Sequence, residues 1–521
     1  MPIPTTNLAS LLLQTARRLP DHPAFIRDGV THTWRHFATR VQAAAAGLRA
    51  QGIAPGDRIL VHARNSVDMF ATVWASWLLG AVWVPTNFRL TPAEVAFLAH
   101  SSRARAHIFD DIFPEHAAAA LAANPDAKLH ITIGEGALTW EDLITQGSGQ
   151  NIAPADVDRD HPCWFFYTSG TTGRPKAAVL THGQMGFVVT NHLADLMPGL
   201  TELDVSLVVA PLSHGAGIHA LAQVARGAAS VLLATEKFDA AEAWALVEQY
   251  RVSNMFTVPT ILTMLTRHPA VDRVDHASLR HVVYAGSPMY RADQILALQK
   301  LGPVIVQYFG LGEVTGNITV LPPRWHSIED RADFPIGSCG YPRTGLDISI
   351  RDDAGAALAA GETGEICVRG NAVFAGYFEN PEANEKAFSG GWFHTGDLGH
   401  LDARGFLYIT GRASDMYISG GSNVYPKEVE EILLTYPGVV EACIVGMPHD
   451  RWGETGVAVL VTADRQPIAE EKLLALFEGK LARYKWPTRF VFWDELPKSG
   501  YGKVPKKDVR GRLVVEGSIS G

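Results

Sequence analysis

Residues 167–176, Tyr-Thr-Ser-Gly-Thr-Thr-Gly-Arg-Pro-Lys, have the makings of a phosphate-handling loop. Thr168, Ser169, Thr171 and Thr172 supply hydroxyl donors, and Gly170 and Gly173 let backbone N–H groups converge on anionic oxygens. Lys176 adds a compact positive charge on a flexible stem. The loop is not of the Walker type, because no G-x-x-x-x-G-K-[ST] pattern occurs in it. Directly before it, the apolar run 163–166 reads as a strand that delivers the loop from a buried sheet.

The elements that must position such a loop are legible as an alternation of helix and strand. Helical patterns over 35–51, 66–79, 240–250, 260–266 and 291–300 alternate with strand patterns such as DRILVHA, 254–258, RHVVYAG and PVIVQYF. Strands separated by helices of this length predict parallel-rich α/β sheets with crossover helices. The uncharged stretch 69–88 is nominally long enough to span a bilayer, but Gly80 and Pro85 break it. A buried helix to about Leu79 followed by the short strand AVWVP is expected instead. Residues 335–411 predict a small β-rich unit with turns at DDAGA, GETGE and DARG. After Gly411 the pattern becomes α+β, with helices at 426–435 and 468–482 around the strands VVEACIVGMP and TGVAVLVTA.

The composition narrows the function classes. The chain has 521 residues, 47% hydrophobic and 19% charged, with a net charge of −9. That is too long for one core and too apolar for a disordered chain. The acidic balance excludes a general nucleic-acid binder. From Arg412 onward there are 15 basic and 15 acidic residues, so the excess negative charge lies in the first part. Cys163, Cys339, Cys367 and Cys443 are too scattered for a disulfide framework or a zinc site. The N-terminal segment has its first basic residues after its short apolar run, the reverse of a secretory signal, so a cytoplasmic location is expected. Nothing in the sequence decides between a monomer and a homodimer.

The loop YTSGTTGRPK resembles the phosphate-binding loop of the adenylate-forming superfamily, in its acyl-CoA synthetase and aryl-CoA ligase branch. Eight fixed positions of that kind would coincide by chance on the order of once in ten million such chains. The likeness recurs in order: LGAVWVPTNFRLTPAE at 79–94, PLSH at 211–214, AGSPM at 285–289, YFGLGE at 308–313 and GYFENPEAN before GWFHTGDLG. GRASDMYISGGSNVYPKEVE at 411–430 and LPKSGYGKV at 496–504 complete it. The resemblance implies a large N-terminal domain of two βα-type subdomains plus the β-rich unit, at 1–411, and a small mobile α+β domain at 412–521 with a hinge about Ser414 and Asp415.

It also implies roles. Lys503 would bridge the carboxylate and α-phosphate, Glu313 would hold Mg²⁺, and Thr168 and Lys176 would serve the phosphates. ATP would be bound further by Gly286, Ser287, Pro288, Phe309 (stacked on adenine), Gly310, Gly312, Asp397 (accepting from both ribose hydroxyls) and Arg412. His214, Gly286, Gly310 and Met264 would line the acyl pocket, and Gly420, Gly421, Trp452 and Lys485 would contact coenzyme A. The basic group Lys485, Arg489, Lys506 and Lys507 reads equally as a solvated face. Three positions depart from the family pattern: Ala177 and Gly312 where glycine and threonine are usual, and Ser414 where lysine or aspartate is usual. Restoring the threonine, Gly312→Thr, is expected to leave an active enzyme.

The chain ends 18 residues after Lys503, which favours free CoA over a fused carrier domain as acceptor. The run Ser213-His-Gly-Ala-Gly-Ile-His219 has no carboxylate to pair with an amino-acid ammonium. Malonate-type synthetases carry arginine where Met264 stands, which weighs against a dicarboxylate. The sequence therefore predicts an ATP-, Mg²⁺- and CoA-dependent ligase of a fatty or aromatic monocarboxylic acid. A standalone enzyme loading a separate carrier protein, and a non-catalytic sensor of ATP or acyl ligands, are the alternatives.

Overall fold

The computed structural model describes residues 4–169, 174–235, 238–287, 289–419, 422–449, 451–498 and 504–517. They form two compact units: residues 1–289, 293–348 and 368–393 in the first, and 290–292, 349–367 and 394–521 in the second.

Two large sheets and two short two-stranded ribbons, among them Thr319–Val320 with Tyr341–Pro342, lie in the first unit. One has six strands in the order Pro175–Thr181, Pro162–Ser169, Val82–Pro85, Arg58–His62, Ala106–Asp110 and Leu129–Ile133. All its pairings are parallel except the edge hairpin formed by the first two. The other has seven strands, Ile305–Gln307, His281–Tyr284, Asn254–Thr257, Val205–Val208, Ala229–Leu232, Pro23–Arg27 and Val30–Thr33, parallel up to the final hairpin. Strands such as Val82–Pro85 and Ala229–Leu232 are buried along their whole length, as helix-covered parallel strands must be.

The crossover helices start where side-chain caps allow. Trp34–Ala50 is capped by Thr33, whose hydroxyl accepts from His36 N at 3.2 Å, and Val67–Leu78 by Ser66, which accepts from Met69 N at 3.0 Å. The helix Val67–Leu78 ends before Gly80, whose φ of 67° turns the chain into the strand Val82–Pro85. The uncharged stretch is thus a buried helix and strand, and no helix among the described residues is long and apolar enough to cross a membrane.

A five-stranded sheet follows in the chain: Leu346–Arg351, Gly364–Gly370, Phe388–Ser389, Trp392–Leu401 and Leu407–Arg412. It is the expected β-rich segment, with one helix, Pro381–Ala387, inserted behind the capping side chain of Asn380. In the second unit the strands Ser422–Val424, Tyr417–Ser419, Gly453–Thr462, Val439–His449 and Arg489–Phe492 form a sheet with the helices Pro426–Leu433 and Lys506–Val515. Alternation along the long strands sends Ile444 and Leu460 into one core with Leu433 and Phe477, and Cys443, Val445 and Val459 into another with Val509 and Leu513. The helix expected over 468–482 is only Glu470–Ala475, because the chain tightens into turns that end at Gly479, whose φ is 70°.

Lys506 holds this unit together from within. Its ammonium donates to Glu430 and to Ile444 O at 2.9 Å, while Ile444 N donates to Glu430 Oε1 at 2.8 Å. Burial alone would lower the Lys506 pKa, but Glu430 and Cys443 raise it on balance, so the pair is ionic. Lys506→Met strands a buried carboxylate, and a loss of about 3 kcal/mol in urea unfolding is expected. A loss below about 1 kcal/mol is the signature of a solvent-shared pair and contradicts this assignment.

Candidate active site

The larger unit gathers its chemistry at the carboxyl ends of parallel strands of the seven-stranded sheet. Val205–Val208 leads to Ser213 and His214, His281–Tyr284 to Gly286, and Ile305–Gln307 to Phe309–Glu313. Ligands of parallel α/β sheets bind at that edge, where loops are free of the ladder. His214 stands at the N-cap of the helix Gly215–Arg226, with its Nδ1 2.9 Å from Ser213 Oγ and its ring 5.1 Å from that of Phe166. Phe166 lies on the other sheet, two residues before Thr168.

Thr168 and Glu313 make the central contact. Glu313 sits in the single 3-10 turn Gly312–Val314 and is 8% exposed. Thr168 Oγ1 donates to its Oε1 at 2.7 Å, and Tyr377 OH donates to the same oxygen at 3.0 Å. Burial first, and then Glu313, push the Tyr377 phenol well above its ordinary range, which keeps it a neutral donor. Among the described residues no cation pairs with Glu313. Its Oε2, unbonded among these residues, is a hard oxygen suited to Mg²⁺, so the residues fit the expected ion. Lys176, the backbone partner of Thr168 in the hairpin, holds its ammonium 5.0 Å from the Tyr377 ring centroid.

Phe309 is half-buried, and its backbone N donates to Thr319 Oγ1 at 3.2 Å. A Cβ on Gly310 would lie 2.2 Å from the carbonyl carbon of Gly316, so this loop closes only around glycine. Gly286 and Ser287 are exposed at the end of their strand. Met264 does not join the group: it is 46% exposed on the helix Pro259–Arg267.

The second unit carries the other expected residues. Asp397 is 4% exposed and accepts from Arg412 Nε at 3.0 Å, and the two are backbone partners in their hairpin. Behind it, Glu365 accepts from Gly396 N at 2.9 Å and lies 2.7 Å from His394 Nδ1, which braces the turn before Asp397. Cys367 is beside His394, and the three donor atoms lie within 4.8 Å of one another, but Glu365 and His394 are already engaged in that brace. Ser414 and Asp415 form the turn after Arg412, where Asp415 N donates to Arg412 O at 3.0 Å. Trp452 is 44% exposed with the Arg451 guanidinium 4.9 Å from its ring, and Lys485 is paired with Glu428 at 2.7 Å. Lys506 is buried against Glu430 and is no part of an exposed basic group. Gly170, Thr171, Thr172, Gly173, Pro288, Gly420, Gly421 and Lys503 lie outside the described residues, as does the side chain of Ser169.

A model of AMP-binding enzymes matches residues 12–378, and a model of the AMP-binding enzyme C-terminal domain matches 428–503. The chain belongs to the AMP-binding enzyme family. A feruloyl-CoA synthase of an Amycolatopsis species is 36% identical over 509 residues, covering 97% of this chain and 99% of that one. A fatty acid–[acyl-carrier-protein] ligase of Streptomyces coeruleorubidus is 32% identical, covering 96% and 95%. The o-succinylbenzoate CoA synthetase of Bacillus subtilis, solved with its acyl-adenylate intermediate, superposes with a TM-score of 0.85 at 30% identity, covering 97% and 98%.

In this AMP-binding enzyme two features of the site were not foreseen. Tyr377 lies inside the recognised run GYFENPEAN, but nothing in its neighbourhood along the chain signals a bond to Glu313. Gly312 is not a missing threonine. A Cβ there would stand 2.5 Å from Phe166 Cδ1 and 2.7 Å from Thr168 Cγ2, so the glycine makes room for the Phe166 ring. The expectation that Gly312→Thr stays active is therefore reversed. The substitution should cost about 1–3 kcal/mol in thermal unfolding and displace Thr168 from Glu313, with a matching fall in pyrophosphate exchange. Wild-type melting and exchange rates would overturn this account of the glycine. Tyr377→Phe should keep the fold and lower exchange roughly tenfold, with higher Mg²⁺ needed for half-maximal rate, since a hydrogen bond to the Glu313 carboxylate is lost. An unaltered Mg²⁺ titration would remove Tyr377 from the site.

Proposed function

We infer that this AMP-binding enzyme is an ATP-dependent carboxylic acid:CoA ligase, using Mg²⁺ and coenzyme A. The observation that carries the reading is the buried Glu313 carboxylate, held by Thr168 and Tyr377 beside Lys176 at the carboxyl edge of a parallel sheet. The substrate acid's carboxylate oxygen attacks the α-phosphorus of ATP and pyrophosphate leaves, giving the acyl-adenylate. The CoA sulfur then attacks the acyl carbon and AMP leaves. Bound Mg²⁺ would offset charge on the phosphates. Lys176 orients the phosphate oxygens, and the Thr168 hydroxyl and the neutral Tyr377 phenol hold Glu313 in place for the ion. Asp397 accepts from the ribose hydroxyls and Arg412 orients Asp397. Lys503 acts on the α-phosphate in the first step only.

The division into residues 1–411 and 412–521, with a hinge about Ser414 and Asp415, is part of this proposal, as is a tunnel for pantetheine at Gly420 and Gly421. So are a fatty or aromatic monocarboxylic acid as substrate and a cytoplasmic location. The carrier-protein ligase among the relatives keeps one alternative acceptor in view. A panel of acids assayed for AMP release with CoA separates the readings: adenylation without a CoA product favours a carrier protein, and no pyrophosphate exchange favours a sensor.

Asp397→Ala should raise the KM for ATP by about 10-fold or more, because the ribose loses its acceptor. Unchanged ATP kinetics would take Asp397 out of the nucleotide site. Lys503→Ala should cut adenylate formation by about 10²–10³, yet still turn supplied acyl-adenylate and CoA into thioester. Gly421→Leu should do the reverse. Equal loss of both half-reactions in both variants contradicts the alternating use of the two residues.

A further inference from the structure

One buried cation of the larger unit has no part in the nucleotide machinery. Arg343 is 1% exposed, and its Nε and Nη1 have no hydrogen-bond partner among the described residues. Its Nη2 lies 3.2 Å from His192 Nδ1, and Asp195 Oδ2 stands 3.9 Å from Nε, beyond hydrogen-bond reach. Burial brings the Arg343 pKa down to about 9 against the opposing pull of Asp195, which leaves it charged at neutral pH. Asn317 is wholly buried too, and neither its amide nitrogen nor its oxygen has a partner among the described residues. The strand pairs Thr319↔Pro342 and Val320↔Tyr341, continued by Arg343 N donating to Ile318 O at 3.0 Å, put both residues at the same end of one ribbon.

The backbone facing Arg343 is irregular as well. The helix His182–Asn191 loosens into the π-turn His192–Leu196, whose His192 and Asp195 are the residues that meet the guanidinium. Single π-turns recur at functional sites because they re-aim side chains that a regular helix would point elsewhere. This group adjoins the adenylation motif: Asn317 follows Glu313 by four residues, and Tyr308 precedes Phe309. The Tyr308 ring is 6.0 Å from the guanidinium carbon and 6.0 Å from the Phe256 ring.

Buried donors left without acceptors are costly unless something visits them. The visitor's charge follows from what surrounds the site. Burial pushes His192 far below its ordinary value, so it is neutral, and Asp195 already offsets Arg343. A second full negative charge has nothing left to balance it.

We propose that Arg343 and Asn317 are specificity-determining residues that read a neutral oxygen acceptor, an ether, phenol or carbonyl oxygen, on the tail of the substrate acid. The proposal rests on the ligase reading and narrows it: the tail is not purely apolar but carries an oxygen away from the reacting carboxylate.

Acid-dependent pyrophosphate exchange tests it with paired acids that differ only in that oxygen, cinnamic against 4-methoxycinnamic acid and octanoic against 7-oxooctanoic acid. The wild-type protein should prefer the oxygenated member of at least one pair by about 10–100-fold in kcat/KM. Arg343→Met should abolish that preference while still using the bare acid, and Asn317→Ala should reduce it. Equal use of both members of both pairs by the wild-type protein overturns the proposal, as does a preference that survives in folded Arg343→Met. If Arg343→Met melts below the assay temperature, Arg343→Lys keeps the charge but loses the planar fork, and an undiminished preference there is equally fatal. Exchange without preference fails this inference alone. No exchange with any acid overturns the ligase reading and this inference with it.

Discussion

The larger unit is organised around a buried carboxylate. A buried carboxylate needs donors, and among the described residues those of Glu313 are hydroxyls rather than cations. Thr168 comes from the end of one sheet, and Tyr377 from a segment more than two hundred residues further on. The strand hairpin, the short turn around Gly312 and the run containing Tyr377 must all be in register for both bonds to form. A carboxylate satisfied in this way keeps an oxygen available for a hard cation, which a salt bridge would have consumed.

That requirement explains the glycines around it. Gly310 permits the loop to fold back against Gly316, and Gly312 yields its side-chain space to Phe166 and Thr168. The aromatic ring of Phe166 also meets His214, so packing that begins with one absent Cβ reaches the segment expected to face the acyl group.

The second unit solves a similar problem with different chemistry. Asp397 is buried, and it is paired with a guanidinium and reached by a turn that Glu365 and His394 brace. Lys506 and Glu430 form a buried ion pair that serves the fold, although by sequence Lys506 belongs to a basic cluster. Burial, which no local pattern reports, separates a structural lysine from a ligand-binding one.

Local sequence determined a great deal here. Helix periodicity over 35–51 and 66–79 and Gly80 as a break are short-range signals, and each appears in the fold within a residue or two. The ordered motifs singled out Thr168 and Glu313, and separately Asp397 and Arg412, through their resemblance to the family pattern, and each pair is hydrogen-bonded in the fold. Tertiary structure decided what depends on distant partners: that Tyr377 shares an oxygen with Thr168, that Phe166 excludes a side chain at Gly312, and that Met264 faces outward. It also decided that Arg343, unremarkable in the run GYPRTG, is wholly buried with two guanidinium nitrogens unpartnered among the described residues. The physical reason is range. Backbone preference acts over a few residues, whereas desolvation and hydrogen-bond completion are set by whichever groups the fold brings to the same few ångströms.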